Sequence, residues 1–305
     1  MAAWRRFIVA GGSGLIGQAL ARGLVADGAE VVVLTRRPER AVTPGARSVG
    51  WDGRTAEGPW AAELAGARGI VNLAGASIGG RRWTRRRKEM ILRSRVASTQ
   101  ALAEAAGRLG PGSRPPVLVN ASGIDYAGDS GDELVTEDAA AGTSFLARVC
   151  SEWEAAAARA AEHGMRVVCI RTSFVIARHA PAFRLLALPF RLFLGGPLGA
   201  GSQWFPWVHI DDAVRLYRHV LDGERFSGPL NAVAPDLRRQ LETARELGRV
   251  LHRPARIPTP APLLRAALGE QADLLLHGQR ARSIKLGDFV FRYPQLPAAF
   301  AEAVA

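Results

Sequence analysis

A glycine-rich segment near the start of the chain has the residue types and spacing that bind a phosphate group. It follows a short apolar run, residues 7–10, and precedes apolar residues at helical spacing. Glycines permit a sharp turn and close approach to a pyrophosphate, and free N–H groups at a helix start attract anions. The segment fits both the Gly-x-Gly-x-x-Gly and the Gly-x-x-Gly-x-x-Gly registers. In preference to a turn without a ligand, it predicts a dinucleotide site formed by Gly11, Gly12, Ser13, Gly14, Leu15, Ile16 and Gly17.

The end of the second predicted strand indicates which dinucleotide is bound. Sites that select NAD place an Asp or Glu there to bind the 2′-hydroxyl of the ribose. This chain instead has Thr35, Arg36 and Arg37 at that point, and it has no acid there. A guanidinium group matches the oxygens of a 2′-phosphate, so the sequence predicts NADP(H). The alternative is that both arginines are surface residues of an arginine-rich protein.

Strand-like and helix-like segments alternate through the first half of the chain. These segments must position the residues described above. Such alternation forms a parallel sheet with helices on both faces, which predicts an α/β fold with a doubly wound Rossmann sheet. Later segments are richer in Pro and Gly and predict a smaller C-terminal lobe. We assign residues 1–234 to the Rossmann domain, with 174–206 contributing to its cleft, and 235–305 to the C-terminal domain. The strands are predicted at 7–10, 30–35, 68–74, 116–122 and 165–172, with helices from 15 onward and at 89–106 and 144–163.

Composition narrows the function classes. The net charge is +12, and all but two of the 40 basic residues are arginines spread along the chain, which coding bias explains, so we expect no nucleic-acid partner. We also expect no membrane partner, because no apolar stretch is long enough to span a bilayer. Cys150 and Cys169 are too few for a disulfide framework, which favours the reducing cytoplasm. No His or Cys spacing indicates a metal.

Motifs along nearly the whole chain resemble the extended short-chain dehydrogenase/reductase superfamily. Within it, the chain is similar to the uncharacterised "epimerase family" proteins of the NAD-dependent epimerase/dehydratase group. Each motif alone is loose, and their order makes the resemblance specific. The matching residues are Gly11–Gly17, Asn72–Ala76, Arg82–Thr84, Ser94–Val96, Ser98–Thr99, Asp129, Gly131–Asp132, Phe145–Leu146, Trp153–Glu154, Gly195–Gly199, Trp207–Asp212, Gly269–Glu270 and Phe291–Pro294.

The resemblance implies roles for two strand ends. The fourth strand would end beside the adenosine ribose, and the fifth would end near the nicotinamide. The segment Trp207–Asp212 would return the chain to the sheet, and the C-terminal domain would be the family's own. The residues at the two strand ends are Asn72, Leu73, Ala74 and Gly75, and then Ala121 and Ser122.

The superfamily's catalytic pair is missing from this chain. That pair is Tyr-x-x-x-Lys, in which the lysine lowers the pKa of the tyrosine, and the alignment puts Leu146 and Cys150 in its place. The superfamily's Asn-x-x-Gly-Thr motif reads Arg95–Thr99 here, so the asparagine of the proton relay is lost too. Ser122 remains a candidate catalytic hydroxyl, and Tyr126 is either a surrogate acid or a packed loop aromatic.

Three further groups have two interpretations each. The basic run Arg81–Lys88 is either a solvated helix start or a site for anionic substrate groups. Trp204 and Trp207 either line the cleft or pack in the core, and His209 with Asp211 and Asp212 resembles an acid–base pair but favours a helix cap. The leading hypothesis is an NADP(H)-dependent oxidoreductase or sugar-nucleotide-type epimerase, acting on a small, anionic or polyol-like substrate. The alternative is a non-catalytic NADP(H)-binding sensor or scaffold.

Overall fold

The computed structural model describes residues 6–40, 43–80 and 82–305. Its strands are β1 (Arg6–Ala10), β2 (Glu30–Thr35), β3 (Arg47–Gly50), β4 (Gly69–Asn72), β5 (Val117–Gly123), β6 (Leu134–Val135), β7 (Arg166–Thr172), β8 (Phe174–Ile176), β9 (Trp207–His209), β10 (Gly228–Ala232) and β11 (Arg280–Ala281). Its α-helices are α1 (Leu15–Ala26), α2 (Arg85–Gly107), α3 (Phe145–Ala158), α4 (Pro181–Arg191), α5 (Ile210–Asp222), α6 (Gln240–Leu251), α7 (Ala261–Leu268), α8 (Asp273–Leu276) and α9 (Leu296–Val304). Short 3-10 helices cover Pro59–Leu64, Ile124–Ala127, Arg159–His163 and Gly269–Ala272.

Seven parallel strands form the central sheet, in the order β10-β7-β5-β4-β1-β2-β3. The strand order reverses between β1 and β4, where the two halves of a doubly wound sheet meet. A crevice opens at such a point, at the carboxyl ends of the strands, and ligands bind there. The predicted α/β Rossmann fold is confirmed.

Alternating side chains of the strands build a core on each face of the sheet. Along β1, Phe7 and Val9 pack toward α1 and α5, whereas Ile8 and Ala10 pack on the opposite face, where α2 lies. Both faces are covered by helices, so β1 and its neighbours are apolar at nearly every position. This layering holds the carboxyl ends of β1, β2, β4 and β5 side by side.

The predicted elements differ from the observed ones mainly at their ends. The partly buried edge strand β3 is not predicted, because it lacks an apolar run. Helix α2 begins at Arg85, four residues before the predicted start, because the hydroxyl of Thr84 accepts a hydrogen bond from the backbone N–H of Arg87 at 3.2 Å. Side-chain capping of this kind starts a helix even where the sequence that follows is strongly basic.

A second core lies beyond the sheet and joins α4, α6, α9 and the β8–β9 pair. Phe183, Trp207, Leu247 and Phe300 are among its fully or almost fully buried side chains. The lobe therefore combines residues from both sides of position 234, and the domain boundary at 234 stays a prediction. No helix in the described residues is long and apolar enough to cross a membrane.

The C-terminal segment, residues 292–302, is hydrogen-bonded to the start of α5. The buried carboxylate of Asp212 accepts hydrogen bonds from the backbone N–H groups of Arg292 and Tyr293, at 2.6 and 2.9 Å. His209 caps α5 by accepting from the N–H of Asp211 through Nδ1, and its Nε2 lies 2.8 Å from a carboxylate oxygen of Glu302. The expected capping role of this segment is therefore observed, and these side chains are occupied in structural contacts.

Candidate functional site

The glycine loop between β1 and α1 leaves no room for side chains at two positions. Gly11 has a φ of 77°, and a Cβ built on it would lie 2.6 Å from the carbonyl carbon of Leu73. A Cβ on Gly17 would lie 2.5 Å from the carbonyl oxygen of Gly11. Both distances are far below van der Waals contact, so the loop can pack this tightly only with glycine at these positions. The result is a bare backbone turn at the switch point of the sheet.

The start of α1 carries free backbone donors toward this turn. Gly14 is the N-cap residue and supplies no side chain to satisfy the first N–H groups of the helix. Gly14 and Ser13 are exposed, and the N–H of Gly14 donates to the carbonyl of Gly11 at 3.0 Å, which holds the turn closed. A helix N-terminus without a capping side chain, at the end of a buried strand, is suited to an anionic group.

The arginines after β2 lie beside the loop. Ala10 of β1 pairs with Leu34 of β2, so Thr35 and the residues that follow it extend alongside the first glycines. The hydroxyl of Thr35 accepts a hydrogen bond from the N–H of Arg37 at 3.2 Å, and both Arg36 and Arg37 are exposed. Neither of their guanidinium groups takes part in an ion pair among the described residues. Two cations that have no ion-pair partner in the described ranges therefore lie where the sequence predicts a 2′-phosphate.

The segment after β4 forms the other wall of the loop. Ala10 also pairs with Asn72, and the N–H of Leu73 donates to the carbonyl of Ala10 at 2.9 Å. The structure thus brings Leu73, Ala74 and Gly75 next to Gly11, as the predicted ribose contact requires. The side chain of Asn72, by contrast, is fully buried.

That buried amide organises the packing beneath the site. Its Nδ2 donates to the hydroxyl of Thr99 at 2.8 Å and to Oδ1 of Asn120 at 2.7 Å, and its Oδ1 accepts from the N–H of Ala74 at 3.1 Å. The indole N–H of Trp153 also donates to Thr99, at 2.9 Å. Asn72 therefore shapes the wall from below, and its own contact with a cofactor stays a prediction.

Ser122, at the end of β5, belongs to a buried ionic cluster. Its hydroxyl donates to Glu154 at 2.6 Å, and Arg171 binds both carboxylate oxygens of Glu154 at 2.8 and 2.9 Å. Burial lowers the pKa of Arg171, but the hydrogen bond to Glu154 and the attraction of nearby acidic groups together outweigh it, so the net pKa is raised. The proton of Ser122 is thus engaged by a carboxylate, and its predicted catalytic role stays a prediction.

Tyr126 follows β5 in a short 3-10 helix and packs against the same cluster. The guanidinium carbon of Arg171 lies 3.4 Å from the centre of the Tyr126 ring, which is a close cation–π contact. The residue is partly exposed. Tyr126 is therefore a packed aromatic residue, which is one of the two roles considered from the sequence. The other role, that of a surrogate acid, stays a prediction.

Two residues of the basic run before and at the start of α2 bind the C-terminal lobe. Arg82 donates to the carbonyl of Ala266 at 2.8 Å, and Lys88 pairs with Glu270 at 2.8 Å. Arg81 lies outside the described residues. Arg85 and Arg86 are exposed, so these two are the ones left open to an anionic substrate.

The two tryptophans have different environments. Trp207 is fully buried in the second core. Trp204 donates through its indole N–H to Asp132 at 2.8 Å, and the guanidinium of Arg239 lies 4.6 Å from its ring. Trp207 therefore has the core role, and Trp204 belongs to a polar surface.

Comparison with known proteins places this architecture in a family. The model of the "NAD dependent epimerase/dehydratase family" matches residues 7–231. This chain belongs to that family. Residues 259–303 match a domain of unknown function. Among the family's members, Epimerase family protein SDR39U1 of Homo sapiens is 37% identical over 98% of this chain and all of its own length, and Epimerase family protein SH2119 of Staphylococcus haemolyticus is 34% identical over 98% and 99%.

Solved structures of the family agree with the fold. The crystal structure of the human SDR39U1 protein, determined with NADPH, has a TM-score of 0.87 and 36% identity, covering 98% of this chain and 99% of that one. A UDP-galactose 4-epimerase structure, at 20% identity and a TM-score of 0.74, shows the shared fold alone. The predicted membership of the epimerase family is confirmed.

The site of this epimerase-family protein lacks the superfamily's tyrosine and lysine, as the sequence indicates. Leu146 and Cys150, which stand in their places on α3, are both buried. Burial, together with the nearby carboxyl of Asp125, raises the pKa of the Cys150 thiol to about 12. This thiol remains protonated at neutral pH and packs as a small apolar group.

Arg95 of α2 places a cation close to Cys150. Its guanidinium donates to the carbonyls of Ala76 at 2.9 Å and Ile91 at 3.0 Å, and it lies 5.0 Å from the ring of Trp153. Burial lowers its pKa to about 10, so it stays charged at neutral pH. No carboxylate in the described residues lies within ion-pair distance of it, so this cation can receive an anionic group.

Asp125 is the residue that sequence reasoning missed. It lies in the 3-10 helix directly after β5, and burial raises the pKa of its carboxyl from an ordinary value of 3.8 to about 6. The sequence feature that could have indicated it is an acidic residue just after the end of a buried strand, adjacent to Tyr126. A carboxyl with a pKa near neutrality, at the end of β5, is suited to proton transfer.

Proposed function

We propose that this protein binds NADP(H) and acts as an oxidoreductase or a sugar-nucleotide-type epimerase on a small substrate. The observation that carries the proposal is the bare glycine turn of Gly11 and Gly17, joined to an uncapped helix start. A dinucleotide's pyrophosphate fits such a turn, because side chains are absent and N–H groups are free. When bound, the nicotinamide gives or takes a hydride.

The residues that would hold the cofactor come from three strand ends. The turn and the start of α1 would take the pyrophosphate, and Arg36 and Arg37 would take the 2′-phosphate. Leu73, Ala74 and Gly75 would lie along the adenosine ribose, and Ala121 would lie near the nicotinamide. The unpaired arginines support NADP(H) over NAD(H), and the NADPH-bound structure of the human relative supports the same choice.

The substrate we propose is a small molecule with an anionic group. Arg95 supports this class, because it brings to the site a buried cation that has no carboxylate partner among the described residues. We keep the cytoplasm as the predicted compartment, since the structure has two free, buried thiols rather than a disulfide. Cell fractionation would test the compartment directly.

A non-catalytic sensor or scaffold remains the second candidate. It is favoured by the engagement of the Ser122 hydroxyl by Glu154 and by the missing tyrosine and lysine. Both candidates need the cofactor turn, so cofactor binding alone does not separate them. Turnover separates them, because only an enzyme changes the nicotinamide absorbance when substrate is supplied.

Calorimetric titration with NADPH and NADH tests the proposal first. We expect NADPH to bind at least about tenfold more tightly, a difference of about 1.4 kcal/mol. The double variant Arg36→Gln with Arg37→Gln should lose most of this preference and keep its affinity for NADH. Equal affinities in the wild-type protein, or no binding of either dinucleotide, would refute the proposed cofactor site.

A further inference from the structure

Three side chains from different elements meet where the superfamily's tyrosine and lysine would lie. Cys150 comes from α3, Asp125 from the turn after β5, and Arg95 from α2. A Cβ built on Gly123 would lie 3.1 Å from Sγ of Cys150 and 3.5 Å from Oδ2 of Asp125, so the thiol and the carboxyl are neighbours across this glycine. The guanidinium of Arg95 lies close enough to the same sulfur for the two groups to interact electrostatically. The cluster thus brings an acid and a cation to the position of the missing pair.

Ser122, Asp125 and Tyr126 carry exchangeable protons at or just after the end of β5. Of these three, Asp125 is the residue whose side chain has no described contact with another side chain that would hold its proton. The hydroxyl of Ser122 donates to Glu154, and the ring of Tyr126 is covered by Arg171. Among the described contacts, the carboxyl of Asp125 interacts with its own backbone N–H and with no other donor. No other donor therefore holds this carboxyl in place, and with a pKa of about 6 it can exchange a proton with a ligand near neutral pH.

Several charged or titratable groups surround this carboxyl. The thiol of Cys150 on α3 adjoins it, and Tyr126 follows it in the chain. Beyond these two lie Glu154 and Arg95, which are close to Cys150, and Arg171, which covers the Tyr126 ring. The cation of Arg171 is neutralised by Glu154. No cation in the described part of the chain is paired with Asp125, so burial shifts this carboxyl toward its neutral form compared with an ordinary, exposed aspartate.

We propose that Asp125 is the proton donor of a carbonyl reduction at this site and that Arg95 binds an anionic group of the same substrate. This rests on the proposed function, because the reduced nicotinamide must supply the hydride. The carbonyl carbon gains the hydride, its oxygen gains the carboxyl proton of Asp125, and C=O becomes CH–OH while the nicotinamide is oxidised. A proton taken up from the solvent then restores the Asp125 carboxyl, so one proton is consumed for each hydride transferred. The substrate class is a ketone or aldehyde with a carboxylate or phosphate.

Binding of the two cofactor forms tests the placement of Asp125 without a known substrate. The oxidised nicotinamide is positively charged and the reduced one is neutral, so an ionised Asp125 beside it favours NADP⁺. As the pH rises from 5 to 8, the affinity for NADP⁺ relative to NADPH should increase about fivefold or more in the wild-type protein. Asp125→Asn should remove this dependence, and the exposed Asp129→Asn should keep it. Any titration of the 2′-phosphate is common to all three proteins.

Turnover tests the proton transfer itself. With NADPH and a panel of 2-oxo acids and keto-phosphates, Asp125→Asn should lower the rate about a hundredfold or more and leave the Kd for NADPH within about threefold. Retention of NADPH binding also shows that the variant is folded. Tyr126→Phe should retain most of the rate.

The outcomes separate this inference from the proposed function. If the wild-type protein binds no NADPH, the proposed function fails and the inference fails with it. If NADPH binds but the NADP⁺ preference is equally independent of pH in the wild-type protein and in Asp125→Asn, the inference alone is wrong. Turnover that survives in Asp125→Asn and disappears in Tyr126→Phe likewise overturns the inference and assigns the proton to the tyrosine.

Discussion

Replacing Asp125 with asparagine should stabilise the folded protein at neutral pH, and the gain should grow as the pH rises. The folded-state pKa of the carboxyl is about 6, and its ordinary value is 3.8. Between these values the folded protein holds a proton that the unfolded chain has released. The wild-type protein therefore loses stability as the pH rises through this window, whereas below about pH 4 both states are protonated and the carboxyl imposes no penalty.

The magnitude follows from the two pKa values. At about 1.4 kcal/mol for each pH unit, the window from 3.8 to about 6 corresponds to roughly 3 kcal/mol at neutral pH. Because the side chain is partly exposed, solvent screening reduces this to about 2 kcal/mol. About half of the effect lies between pH 5 and pH 7.5, so the stability of Asp125→Asn relative to wild type should increase by about 1 kcal/mol over that range.

Urea unfolding at pH 5 and pH 7.5 measures this change. Asparagine is nearly isosteric with aspartate, and any pH-independent effect of the amide cancels when the two conditions are compared. The exposed Asp129→Asn is the matched control in the same segment and should show a much smaller change. A relative stability of Asp125→Asn that stays constant or falls between pH 5 and pH 7.5 would refute the desolvation argument.

Other substitutions test the rest of the site. Gly17→Ala should weaken NADPH binding by more than about tenfold in a calorimetric titration, because its Cβ would lie 2.5 Å from the carbonyl oxygen of Gly11. The control Gly112→Ala, whose Cβ would meet nothing within 4 Å, should bind normally. Glu154→Gln should lower the free energy of unfolding by about 3 kcal/mol or more in urea melts, because the buried Arg171 loses its ionic partner; a loss below about 1 kcal/mol would contradict the described cluster. Asp212→Ala should increase proteolysis of the segment after residue 290, because two backbone N–H groups lose their acceptor, and unchanged cleavage would argue against this anchor. In calorimetric titrations, Arg95→Gln should raise the Kd of an anionic substrate more than the Kd of NADPH. Equal increases in the two Kd values would argue that Arg95 supports only the cofactor site.

The fold and the cofactor turn could be predicted from sequence because their signals are local. The run of β2 is apolar at successive positions because both faces of the sheet are covered, and its predicted bounds, 30–35, match the structure. Gly11 and Gly17 were recognisable because a turn this tight accepts no other residue. The edge strand β3 escaped prediction because its partly buried residues carry no apolar pattern.

The sequence by itself determined that a dinucleotide-type turn lies at the end of the first strand and that the usual tyrosine and lysine are absent. Only the tertiary structure decided which groups remain available for proton transfer. Packing of α2 and α3 on one face of the sheet brings Arg95 and Cys150 toward Asp125, and it directs Ser122 to Glu154. The pKa of a carboxyl depends on its solvation and its neighbours, which chain order does not reveal. What makes Asp125 a candidate is its burial, without an ionic partner among the described residues, and both are properties of the tertiary structure.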